Sequence, residues 1–124
     1  MRRRPRRASP ALRRANALLE DENYAEAGKA FEEIAQHAKR RRHSRTPIYY
    51  LRAGRAYMLA ENTEKGMPFL TRGLTILAGK KQWDALSSFG LRTINELNEL
   101  GYTEEAQEIA DLLEKRLPSV KRET

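Results

Sequence analysis

Apolar residues return every three or four positions along almost the whole chain, and nowhere do apolar and polar residues alternate long enough to make a strand. That periodicity predicts an all-α protein. Ser9-Pro10 offers a serine N-cap with proline in the first turn, and the first helix runs to about Asp21 before Asn23 breaks it. A second helix covers roughly Tyr24 to Lys39. Thr46-Pro47 repeats the start signal for a third, which reaches about Glu61. Thr63-Glu64 opens a fourth that ends near Leu77, with Gly79 as its left-handed cap and Pro68 expected to bend it or delay its start. The fifth, from about Gln82 to Leu100, is the longest and stops at Gly101; Thr103-Glu104-Glu105 caps the sixth, which Pro118 closes. Six helices make three antiparallel hairpins, over about 8–43, 46–78 and 81–117. They form one domain over 8–118, preceded by a disordered basic arm at 1–7 and followed by a tail at 119–124.

The hairpins are copies of one another. Aligning YAEAGKAFEEIA (24–35), TEKGMPFLTRGL (63–74) and TEEAQEIADLLE (103–114) puts Ala27, Gly66 and Ala106 in one register, at intervals of 39 and 40. The stretches LRRAN (12–16), LRAGR (51–55) and LRTIN (91–95) repeat at the same intervals, each arginine 14 residues before the small residue of the following helix. Two helices approach to about 8 Å only where a side chain is small. Ala15 and Gly54 play this part from the first helices of their hairpins, and bulky Ile94 departs from it.

These residues resemble a short array of tetratricopeptide repeats, whose pattern is W-x2-L-G-x2-Y, then A-x3-F, then P. The middle unit supplies Tyr50, Ala53, Gly54 and Tyr57; the first supplies Ala27 and Phe31 behind Tyr24; the third supplies Pro118. Each unit matches part of the pattern and none matches all of it. The interval exceeds the family's about 34 residues, and α-solenoids with repeats of about 40–47 also fit it. The resemblance implies an α-solenoid of three antiparallel hairpins whose first helices line a concave face. It further implies a scaffold that binds peptide segments or other subunits, without a cofactor and without catalysis. In such a hairpin the repeated register turns Arg13, Arg52 and Arg92, with Asn16, Arg55 and Asn95 one turn later, toward the groove, over a floor of Leu12, Leu51 and Leu91. These arginines either form a ladder that takes an acidic segment by charge-assisted bonds, or simply keep the groove soluble.

Charge sharpens this picture because it is unevenly placed. The chain of 124 residues carries +7, yet ten cations sit in RRRPRR (2–7) and KRRRHSR (39–45), and without those ten the +7 becomes −3. Seven acids and no base lie between Thr93 and Lys115. The molecule is basic early and acidic late, which favours association, as a homodimer or within a larger complex. A polyanion-binding surface made of Arg2, Arg3, Arg4, Arg6, Arg7, Arg40, Arg41 and Arg42 is the alternative function. It would anchor nucleic acid or an acidic membrane surface without reading sequence. The bland counterpart is a solvated tail and a solvated helix end. An arginine-rich start with no acid before Glu20 also has transit-peptide composition, although Ala11 to Leu19 are needed for the first helix.

Candidate chemistry changes little. There is no cysteine, which removes disulfides and thiolate sites and leans toward the cytoplasm. His37 and His43 lie six apart, outside the spacings that place two metal ligands on one helix face. GLTILAGKK (73–81) has five residues between its glycines, lacks Ser or Thr after the lysine and follows a helix, so it is no phosphate loop. Ser87-Ser88 has no histidine partner in reach of the pattern, and Glu32-Glu33 and Glu104-Glu105 read as solvated or helix-start charges. No apolar run approaches the length of a membrane span.

Overall fold

A computed structural model describes residues 9–118. Among them are six helices and no strand: α1 (Pro10–Glu20), α2 (Tyr24–Arg40), α3 (Thr46–Leu59), α4 (Thr63–Gly79), α5 (Trp83–Glu99) and α6 (Thr103–Arg116). The main contacts join helices adjacent in sequence, with α6 also touching α4. The described chain is therefore an all-α array of three hairpins, α1–α2, α3–α4 and α5–α6. Arginines 2–7 and the tail lie outside the described residues. No described helix is long and apolar enough to cross a membrane.

Helix starts follow local chemistry, in places one residue away from the expected position. Ser9 Oγ accepts the Leu12 N–H at 3.2 Å, with Pro10 opening α1. On α4 the cap is Asn62, which accepts from the Lys65 N–H, and Thr63 opens the helix where the sequence placed its start. Tyr102 takes the N-cap place expected of Thr103, while Glu104 and Glu105 lie in the first turn, where carboxylates offset the helix dipole. Thr46 is buried at the start of α3, and its hydroxyl donates to the His43 carbonyl at 2.7 Å. Pro68 does not delay α4, which begins five residues before it. Nor is α5 longer than the rest: α2, α4 and α5 each have 17 residues.

The links correct one reading. Gly79 ends α4 inside the helix, and the left-handed residue is Lys81, at φ 58°. Glu22, Arg42, Glu61 and Gly101 take the same conformation in the other four links. In each, that residue's N–H reaches the carbonyl three residues back and the next N–H reaches five back, as in Asn23 to Leu18 and Gln82 to Leu77. This is the Schellman closure, which satisfies carbonyls the helix end leaves open. Four of the five positions carry a side chain, although a non-glycine residue here costs about 1–2 kcal/mol. The left-handed residues follow at intervals of 20, 19, 20 and 20, so two helix-plus-link units make the 39–40 repeat.

Two clusters form the core. Ala15, Ala27, Ala30, Phe31, Ala53 and Ala56 pack where α1, α2 and α3 meet, and the small side chains allow the close approach their repeat predicted. The second cluster, from α3 to α6, is rich in leucine, including Leu70, Leu74, Leu77, Leu86 and Leu97. At the α3–α4 crossing the backbones themselves meet: a Cβ on Gly54 would stand 2.8 Å from the Leu70 nitrogen and 2.9 Å from the Gly66 oxygen. The α3–α4 and α5–α6 hairpins exchange knob and hole. Leu51 of α3 sits in the notch at Gly73 of α4, whereas Leu113 of α6, forty residues after Gly73, fills the notch at Gly90 of α5. Leu91, forty after Leu51, is left 55% exposed.

Candidate functional site

The first helices of the three hairpins, α1, α3 and α5, together line a groove of about 1110 Å³. Leu19, Ile48, Phe89 and Leu100 supply its accessible apolar surface, above the buried Phe31, Leu51, Met58, Leu70 and Leu97. Asn16 from α1, Arg52 and Arg55 from α3, and Arg92 and Asn95 from α5 border it as the register predicted. Arg45, at the start of α3, adds a further cation. The remaining predicted residues stand elsewhere. Arg13 is exposed on α1 but does not line the groove, and Leu12 is half-buried against the alanine-rich cluster. Leu91 is turned to solvent by the exchange of knob and hole, so it is not part of the floor.

The groove is not uniformly basic. Arg55 Nε donates to both carboxylate oxygens of Glu96, at 2.8 and 2.9 Å, tying α3 to α5 across the groove. Glu99 lines it too. One member of the late acidic run thus pairs with a groove arginine and a second borders the groove; the pair joins residues 41 apart, which only the stacking of hairpins brings together. Arg92 is held differently, its guanidinium 5.2 Å from the centre of the Phe89 ring, while Arg52 is exposed on the groove's wall.

A second polar arrangement stands on the side formed by α2, α3 and α4. Tyr50, Phe69 and Tyr57 make a three-ring stack, with neighbouring centroids 5.8 Å apart and planes within 19° and 12° of parallel. At one end, Tyr57 donates its hydroxyl to Glu32 at 2.6 Å, and Lys65 lies over the Tyr57 ring and 3.8 Å from the same carboxylate. Burial, then the bond to Glu32 and the nearby carboxylates, pushes Tyr57 ionisation well above the ordinary tyrosine range. The ring also presses on Gly28, where a Cβ would come within 2.9 Å of it. At the other end, Arg72 lies over Tyr50 at 5.2 Å.

Of the described polyanion candidates, Arg40 is the last residue of α2, Arg41 caps it beside His37 at 3.4 Å, and Arg42 takes the left-handed position. All three are exposed. Arg2, Arg3, Arg4, Arg6 and Arg7 lie outside the described residues. Among the described residues no group of three or more acidic or imidazole side chains is placed to hold a metal ion. No protein-family model, no curated protein and no solved structure matches this chain.

Proposed function

We propose that the chain is a small tetratricopeptide-like interaction module, without catalysis of its own, that holds an acidic segment of a partner protein in the groove of α1, α3 and α5. The observation that carries this reading is the convergence of Arg52, Arg55 and Arg92 from two hairpins on one groove with an apolar base. An acidic segment with apolar residues would bury the latter on the half-buried Ile48 and Phe89 and set its carboxylates against Arg52 and Arg92. Arg55 is already matched by Glu96, so a ligand must compete for it. The test is a panel of short acidic peptides measured by fluorescence polarisation against the full chain. Arg52→Ala with Arg92→Ala should weaken the best binder by about 1–3 kcal/mol if the guanidinia are desolvated in the complex, without altering the melt. Equal affinity for the double variant would overturn the proposal.

A further inference from the structure

The stacked rings lead to a second surface, separate from the groove. Beside Tyr50 and Phe69 is a pocket of about 370 Å³ bordered by Gln36, Lys39 and Arg40 of α2 and Arg72 of α4. Three cations border it and no carboxylate does. Among the described residues none of the three is in an ion pair. Glu32, at the Tyr57 end of the stack, is engaged by Tyr57, Lys65 and Gln36. Arg72 is held over Tyr50, which limits the freedom its guanidinium would lose on binding. We infer that this pocket is a binding site for a phosphomonoester group.

The charge balance favours a dianion. The end of α2 contributes roughly −0.5 of dipole charge, which Lys39 and Arg40 offset, leaving a surplus well above one unit charge. A single carboxylate would not neutralise it; a phosphomonoester carries about −1.5 to −2 at neutral pH and offers three acceptor oxygens to donors from two helices. The aromatic rings do not make this a nucleotide site. Tyr50 is buried with Arg72 over its ring, and Phe69 already stacks with both Tyr50 and Tyr57, one heptad apart on α3.

Nuclear magnetic resonance titration of the full chain tests the inference. The probes are inorganic phosphate and a phosphoserine peptide with neutral flanks, with the serine and glutamate forms of that peptide as controls. Saturable shifts should appear at Gln36, Lys39, Arg40 and Arg72, and affinity should fall as the pH is lowered through the second phosphate ionisation, about 6 for a phosphoester. Arg72→Gln should reduce affinity about tenfold or more, and Lys39→Gln should do so in a chain whose exposed change leaves the melt alone. Response to the peptide but not to free phosphate would identify a protein-borne phosphate as the source; the reverse would identify the free ion. Arg52→Ala with Arg92→Ala should leave these titrations unchanged, which separates this site from the groove. Absence of saturation, a glutamate peptide that binds as tightly, or shifts indifferent to both pocket variants would overturn it.

Discussion

Replacing Gly54 by alanine isolates the close crossing of α3 and α4, because the same change at Gly79 supplies a control. In a helix interior alanine is about 1 kcal/mol better than glycine. A Cβ on Gly54 would stand 2.7 Å from Leu70 Cγ, 2.8 Å from the Leu70 nitrogen and 2.9 Å from the Gly66 oxygen. Two of those three atoms are backbone, so a side-chain rotation cannot make room and the helices must separate. Overpacking of this kind costs about 1–3 kcal/mol, and the backbone contacts place Gly54 at or above the upper end. Net of the propensity gain, Gly54→Ala should destabilise by about 2–3 kcal/mol, or about 8–12 °C in Tm for a chain of this size. At Gly79 nothing lies within 4 Å, so Gly79→Ala should raise Tm by a few degrees at most. Gly66→Ala should fall between them, since its nearest neighbour is the flexible end of Met58 at 2.5 Å. Urea and thermal unfolding followed by circular dichroism give the order. A Gly54→Ala chain that melts at or above the parent would refute the reasoning about the crossing.

In the links, Lys81→Gly should stabilise by about 0.5–1 kcal/mol by relieving the left-handed side chain, whereas Gly101→Ala, at φ 91°, should destabilise by about 1 kcal/mol; paired urea midpoints check both. Tyr57→Phe should cost about 0.5–1.5 kcal/mol near neutral pH for the lost bond to Glu32. Because folding raises the Tyr57 pKa above its ordinary 10.0, the unfolded chain ionises first, so stability is full below that pH and falls above it. The difference in urea midpoint between parent and Tyr57→Phe should therefore shrink above pH 10.0; a constant difference would contradict the assignment. Glu96→Gln should release Arg55 and tighten acidic peptides a few-fold in fluorescence polarisation, while changing stability by no more than about 1 kcal/mol, since the pair is partly exposed.

The helices, their order and much of the repeat register were legible in the chain, because they depend on local rules: apolar spacing of three to four, Ser9-Pro10 at a start, and small residues at Ala15, Ala27, Gly54, Gly66 and Ala106, all of which are buried. The same register brought Arg52, Arg55, Arg92 and Asn95 to one groove. It missed Leu91 because a repeat assumes that each hairpin interlocks alike, and the third interlocks with Gly90 and Leu113 in exchanged roles. Lys81 carried no local sign of its left-handed backbone, since the two hydrogen bonds that hold it depend on where α4 ends and α5 begins. The bond from Arg55 to Glu96 and the convergence of Lys39, Arg40 and Arg72 needed the stacking of hairpins, for their partners lie 32 or more residues apart. Periodicity determines which face of a helix is buried; which distant charge meets that helix is decided only when neighbouring helices have packed.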